Sequence, residues 1–222
     1  MYPVQRLQRL PARIAAVSLA LAALASCRSA GAGGRPTIVQ PGAPGASSRV
    51  ITAEQATDVS RVQHTPADVQ FMQRMIGHHS QAIDMTTLLA SRTASESMRK
   101  LALRIEVSQA DEIDMMKRWL AARGQEAPDP HVYHMHGAVL MPGMLTQEEM
   151  DRLSAAEGAA FDRLFLEFMI KHHEGALIMV KELFSTPGAG QESEIFAFAT
   201  DVDADQRMEI DRMRTILKEF QK

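Results

Sequence analysis

Paired histidines occur twice in this chain, each time inside the same frame of methionine and apolar residues. The first frame holds Phe71, Met75, His78, His79, Ala82 and Met85, and the second Phe165, Met169, His172, His173, Ala176 and Met179. A constant offset of 94 residues relates them and also carries Asp68 onto Asp162. Steps of three and four place Met75, His78, Ala82 and Met85 on one stripe of a helix, with His79 on its shoulder; the second frame repeats the arrangement. Imidazole nitrogen and thioether sulfur are borderline-to-soft donors, and a mixed set of them favours copper, as Cu(I) or Cu(II). Adjacent helical residues point about 100° apart. One histidine of each pair can therefore face the bundle centre, while the other binds elsewhere or orients a carboxylate. Met75 with His79, and Met169 with His173, are four apart, so each pair can clasp one ion from a single helix face.

Carboxylates supply the next layer of this chemistry. Gln109, Glu112, Ile113 and Met116 share their spacing with Gln206, Glu209, Ile210 and Met213, now at an offset of 97. Both glutamates lie on lines otherwise made of core residues. A buried glutamate is costly unless it is paired or bound to a cation. In the metal reading, His78, His79, His172 and His173 give nitrogen, Met75, Met85, Met169 and Met179 give sulfur, and Glu112 and Glu209 give oxygen, at one or two sites. The plainer reading is a histidine–carboxylate network that fixes helix register, with methionines that only fill a core. Sequence leaves both open.

A second candidate site lies between the two frames. His131, His134, His136, Met141 and Met144, with Met135, crowd into a stretch with few helix signals. A flexible surface site of this composition suits copper capture. Alternatively, Pro142-Gly143 makes a turn whose methionines pack onto the bundle.

The elements that must position these groups are helices. Thr65-Pro66-Ala67-Asp68 is a helix start, with Thr65 as cap, Pro66 in the first turn and Asp68 at the positive end. That helix is expected to reach Ser91, and the next to run from Ser95 to Ala122 before Gly124. Thr146 and Glu149 form a capping-box pattern for a short helix. Ser154 and Glu157 are expected to open a long one ending near Phe184, and Gln191 to Phe220 forms the last. Each frame thus sits in an αα-hairpin, about 65–122 and 154–220. Stacking two hairpins buries the stripes that each would expose alone. The expected fold is all-α, an up-down four-helix bundle of two similar αα-hairpins over residues 61–222. The insert 124–153 crosses over or covers one end.

The N-terminus reads as an address. Arg6, Arg9 and Arg13 precede an apolar run from Ile14 to Ala25, the pattern of a signal peptide over residues 1–26. Leu24-Ala25-Ser26-Cys27 resembles a lipobox, which implies lipidation of Cys27 and a membrane tether through that lipid. The expected location is a cell-envelope lipoprotein: the periplasmic face of an outer membrane where there is one, otherwise the outer face of the plasma membrane. Residues 27–60 are then lipid anchor and flexible linker, since the Gly, Pro, Ala and Ser content of residues 28–49 buries too little to offset ordering. Cys27 is the single cysteine, so no internal disulfide forms. Cleavage removes three arginines and no acid, leaving 21 basic against 27 acidic groups. That balance, with no basic stripe, argues against nucleic acid as a partner.

Several enzyme patterns are absent. The inward Glu-x-x-His of di-iron bundles is missing, because Met75, Ile76, Met169 and Ile170 stand three residues before the four histidines. No His-Glu-x-x-His, P-loop or dinucleotide fingerprint occurs. The two Met-Ile-x-His-His segments, the Gln-x-x-Glu-Ile elements and Met141-Pro142-Gly143-Met144 together resemble the DUF305 family over about residues 60–220. The resemblance implies a ferritin-like four-helix bundle without di-iron ligands. It also implies copper binding of the kind shown by some exported members, carried onto His78, His79, His172, His173 and nearby methionines. A copper donor or acceptor protein is then the expected partner. Asp84 falls outside a symmetric site, because Ile178 takes its place in the second frame. The combined expectation is an exported copper-binding protein for capture, buffering or hand-off, leaning away from catalysis. The alternatives are a metal-free interaction module or a metal-dependent enzyme with an open coordination position.

Overall fold

The computed structural model describes residues 37–40, 47–58, 62–129 and 140–220. The chain divides after Ala56 into two compact units. In the first, β1 (Ile38–Gln40) pairs antiparallel with β2 (Arg49–Ile51), Ile38 opposite Ile51. The short helix α1 (Ala53–Thr57) follows. The stretch expected as a structureless linker thus contains a small ladder. Its β-branched Ile38, Val39, Val50 and Ile51 favour extended backbone despite the surrounding Gly and Pro.

The second unit is an all-α bundle built from α2 (Pro66–Arg92), α3 (Glu96–Ala122), α4 (Gln147–Ala155), α5 (Gly158–Ser185) and α6 (Ser193–Glu219). At α2 the Thr65 side chain accepts from the Asp68 N–H, and Asp68 Oδ2 accepts from the Thr65 N–H at 2.6 Å, so two otherwise unpaired donors are satisfied. Thr146 and Glu149 repeat this box at α4. The start of α5 differs from expectation. Ser154 is inside α4, and the new helix begins after Glu157, which makes no side-chain cap. Gly158, with φ of +58°, takes the left-handed conformation that separates the two helices.

α2 packs along α3 and α5 along α6, and the hairpins meet through α2 against α5. The apolar core falls into two clusters. One joins Phe71, Met75, Met116, Trp119, Met179 and Phe198; the other joins Met85, Leu101, Phe161, Phe165, Met169 and Met213. Each cluster takes opposite ends of α2 and α5, so these two helices run antiparallel. The four long helices therefore run up, down, down, up. The link from α3 to α5 must travel the length of the bundle, and its described part does: Met141 and Met144 join the first cluster, Leu145 and Leu153 the second. Between the clusters lies a buried polar layer.

Candidate metal centre

The layer is made by equivalent positions of the two halves. His78, His79, His172 and His173 have no exposed surface, Gln109 and Gln206 are almost fully buried, and Glu209 is buried. Four antiparallel helical turns meet here because each frame places its histidines midway along its helix. His78 and His172 face each other across the hairpin junction, ring centroids 3.9 Å apart and planes tilted by 39°. His79 and His173 point to the flanking helices. His79 Nε2 lies 2.5 Å from Glu112 Oε2, and His173 Nε2 lies 2.7 Å from Glu209 Oε2. Glu112 also accepts from Ser108 Oγ at 3.4 Å.

These contacts fix the protons. A carbonyl or carboxylate can only accept, so a neutral imidazole bonded to one must donate. His78 Nε2 sits 3.0 Å from the Pro142 carbonyl and is therefore its N–H nitrogen. The same logic makes Nε2 the donor of His79 and His173. Among the described residues, Nδ1 of all three rings has no hydrogen-bond partner, and in the neutral His78 ring it keeps its lone pair. Among the described residues His172 has no hydrogen-bond partner at either nitrogen, although the His78 carbonyl beside it favours its charged form.

Burial holds the His78 imidazolium down to a pKa of about 3, helped by the charge of His79 and opposed by the Pro142 carbonyl. Burial likewise pushes His172 well below the ordinary range, with His78, His173 and His79 adding repulsion. Glu112 is pushed up by burial, but its bonds to His79 and Ser108 outweigh this and hold it below the ordinary carboxylate range. At neutral pH the layer is thus two neutral central imidazoles flanked by carboxylate-bound histidines.

Among the described residues, eight of the nine buried side-chain nitrogen and oxygen atoms without a partner belong to this layer. They are on His78, His79, His172, His173, Gln109 and Gln206; the ninth is on Asp162. Leaving such an atom unmade costs about 1–3 kcal/mol. Neutral nitrogens with free lone pairs are what a soft or borderline cation requires, and a bound ion would satisfy them. The donor set therefore fits copper. Met75 and Met179 flank the layer in one apolar cluster, Met85 and Met169 in the other, all essentially buried. The fit is not a finished cage: among the described residues no three His, Cys, Asp or Glu side chains come together to hold an ion.

One oxygen of each glutamate, Oε2 of Glu112 and Oε2 of Glu209, is tied to a histidine ring, an arrangement that can orient a metal-ligating imidazole. One expectation changes at this point. Met141 and Met144 do not lie on a flexible surface, being buried in the first apolar cluster. His131, His134 and His136 lie outside the described residues, as does Cys27. The part of the insert that is described docks on the layer itself. Gln81 Nε2 donates to the Leu145 carbonyl at 2.9 Å, and its Oε1 accepts from the Leu145 N–H at 2.7 Å. Lys171 Nζ reaches Glu149 at 2.7 Å. Sequence reasoning gave Gln81 and Pro142 no role at the site. The only available sign was that Gln81 interrupts the repeat, where the second frame has Gly175.

The family model of DUF305, a domain of unknown function, matches residues 68–217. No curated protein matches the chain. A DUF305 fragment from Deinococcus radiodurans is 32% identical with a TM-score of 0.61, over 70% of this chain and 98% of that one. A Streptomyces coelicolor DUF305 protein, described as secreted, is 31% identical with a TM-score of 0.59, over 69% and 93%. CopM in its Cu(II)-bound form is 28% identical with a TM-score of 0.56, over 69% and 97%. These likenesses support an all-α bundle of the same architecture. Among the described residues, no helix is long and apolar enough to cross a membrane.

Proposed function

The chain belongs to the DUF305 family, and from that premise we propose that it is an exported copper-binding protein that captures, buffers or hands off the ion. One observation carries the reading. His172 is fully buried 3.9 Å from the ring of His78, and among the described residues neither of its ring nitrogens, nor His78 Nδ1, has a hydrogen-bond partner. Copper is the cargo in this reading, held first by imidazole nitrogen, with thioether sulfur from the flanking methionines as the softer donor. The likeness to CopM, solved with copper bound, supports the choice of ion. His131, His134 and His136 serve in copper capture, and a copper donor or acceptor protein is the partner. Cys27 carries the lipid that tethers the bundle to the cell envelope, and Cys27→Ala moves the protein from the membrane to the soluble fraction.

The competing reading is a register-fixing polar layer that binds nothing, and the carboxylate partners of His79 and His173 favour it. Titration with Cu(I) and Cu(II) against competing chelators separates the two. Stoichiometric binding that withstands the chelator supports copper handling. Binding no tighter than that of a scrambled His/Met peptide supports the structural layer.

A further inference from the structure

The segment Met141–Leu145 is seated on the histidine layer by three independent devices. Gln81 grips the Leu145 backbone with a buried pair of hydrogen bonds at 2.9 and 2.7 Å. Gly143 and Gly175 let the segment and α5 touch backbone to backbone: a Cβ on Gly175 would stand 2.0 Å from the Pro142 oxygen, and one on Gly143 2.5 Å from the Lys171 oxygen. Gly143 also needs its freedom to take a φ of +76°. Downstream, Glu149 is held by Lys171 at 2.7 Å. All three converge on one result, which is that the Pro142 carbonyl arrives 3.0 Å from His78 Nε2.

We propose that this segment is the positioning element of the metal layer: the Pro142 carbonyl fixes His78 as the Nε2–H tautomer, so that His78 offers Nδ1, and only Nδ1, to a soft monovalent cation. The proposal rests on the copper-binding reading and adds to it a defined ligand atom and a defined cause. His78 has no carboxylate partner, unlike His79 and His173, and the backbone carbonyl takes that role. A ring free to hop between tautomers would present each nitrogen only part of the time. Second-sphere groups of this kind are worth roughly 10–100-fold in metal affinity. The segment also departs from the symmetry of the bundle. Gln81 and Gly175 are equivalent positions of the two frames, yet one grips the segment and the other makes room for it. Among the described residues, no hydrogen bond fixes a tautomer of His172.

The test is histidine tautomer measurement by NMR on the protein labelled with 15N at histidine, first without metal and then during titration with Ag(I), a redox-silent soft monovalent ion. The expected wild-type result is His78 as a single Nε2–H tautomer, with Ag(I) shifting its Nδ1 resonance. Gln81→Ala releases the clamp, and Gly175→Ala pushes on Pro142. Each is expected to mix the His78 tautomers and to weaken Ag(I) binding by about 10-fold or more. Should Gly175→Ala fail to fold, Gln81→Ala carries the comparison. His78 found as the Nδ1–H tautomer, or unchanged tautomer and affinity in the folded variants, overturns the positioning role while leaving metal binding intact. A wild-type protein that binds no Ag(I) overturns the metal reading and this proposal with it.

Discussion

His78 and His172 bring their rings to 3.9 Å at the point where the two hairpins cross, and among the described residues three of their four ring nitrogens have no hydrogen-bond partner. Two neutral imidazoles in that position contribute little to folding. They are polar groups in the centre of a bundle whose neighbouring layers are Met, Phe, Leu and Ile.

Replacing His172 by leucine is therefore expected to stabilise the metal-free protein. Removing an unsatisfied buried polar group in favour of an apolar side chain of similar size recovers roughly 1–3 kcal/mol. For a domain of this size that raises Tm by about 2–4 °C per kcal/mol. Calorimetry of His172→Leu without metal checks this, and copper binding should fall in the same variant. A lowered Tm would mean that His172 has a structural partner.

The low pKa of His78 makes stability depend on pH in a defined direction. Its ordinary value is 6.5 and its folded value about 3. Between those limits the unfolded chain binds a proton that the native state refuses. Stability is thus fully present above pH 6.5 and falls as pH drops toward 3, by at most roughly 1.4 kcal/mol per unit from this residue. His172 acts in the same sense. Urea unfolding at pH 7.5, 6 and 5 should show falling midpoints for the metal-free wild type, with a flatter dependence for His78→Gln.

In the copper reading, Glu112 and Glu209 act on the ion through His79 and His173. Glu112→Gln and Glu209→Gln keep the shape but remove the charge that holds each Nε2–H. The expected loss in Cu(I) affinity is about 10–100-fold, with unchanged stoichiometry. Loss of a whole equivalent would instead make these glutamates direct ligands.

Asp68 and Asp162 are equivalent in sequence but not in bonding. Asp68 Oδ1 accepts from the Gly190 N–H at 2.7 Å, and its Oδ2 accepts from the Thr65 N–H and hydroxyl at 2.6 and 2.9 Å. Among the described residues, Asp162 Oδ1 is buried without a hydrogen-bond partner. Asp68→Ala should cost about 2–3 kcal/mol, since it removes a helix cap and strands the Gly190 donor. Asp162→Ala should cost clearly less, and chemical denaturation of both variants makes the comparison.

The helices were legible in the sequence because caps and apolar spacing agree. Thr65–Asp68 and Thr146–Glu149 form the reciprocal boxes that their spacing implies. The exception, Ser154, is a good cap residue that α4 had already absorbed, since the real break needs the positive φ of Gly158. At the site, side-chain type showed which residues share the layer: His, Gln and Glu on core stripes at matching offsets. It could not show that the glutamates bond to rings, because that depends on how the hairpins cross. Nor could it show Pro142 at His78, since a backbone carbonyl leaves no mark in the sequence. In hindsight Gln81 and Gly175 were the available clue. The repeat breaks there because only one insert exists to be gripped.

The most direct test is a Cu(I) and Cu(II) chelator-competition titration of three proteins: wild type, His78→Ala/His172→Ala and His134→Ala/His136→Ala. The expected result is tight binding in the wild type that is lost in the first variant and retained in the second. Loss only in the second would move the site to the insert, and wild-type binding no stronger than that of a scrambled His/Met peptide would contradict copper handling altogether.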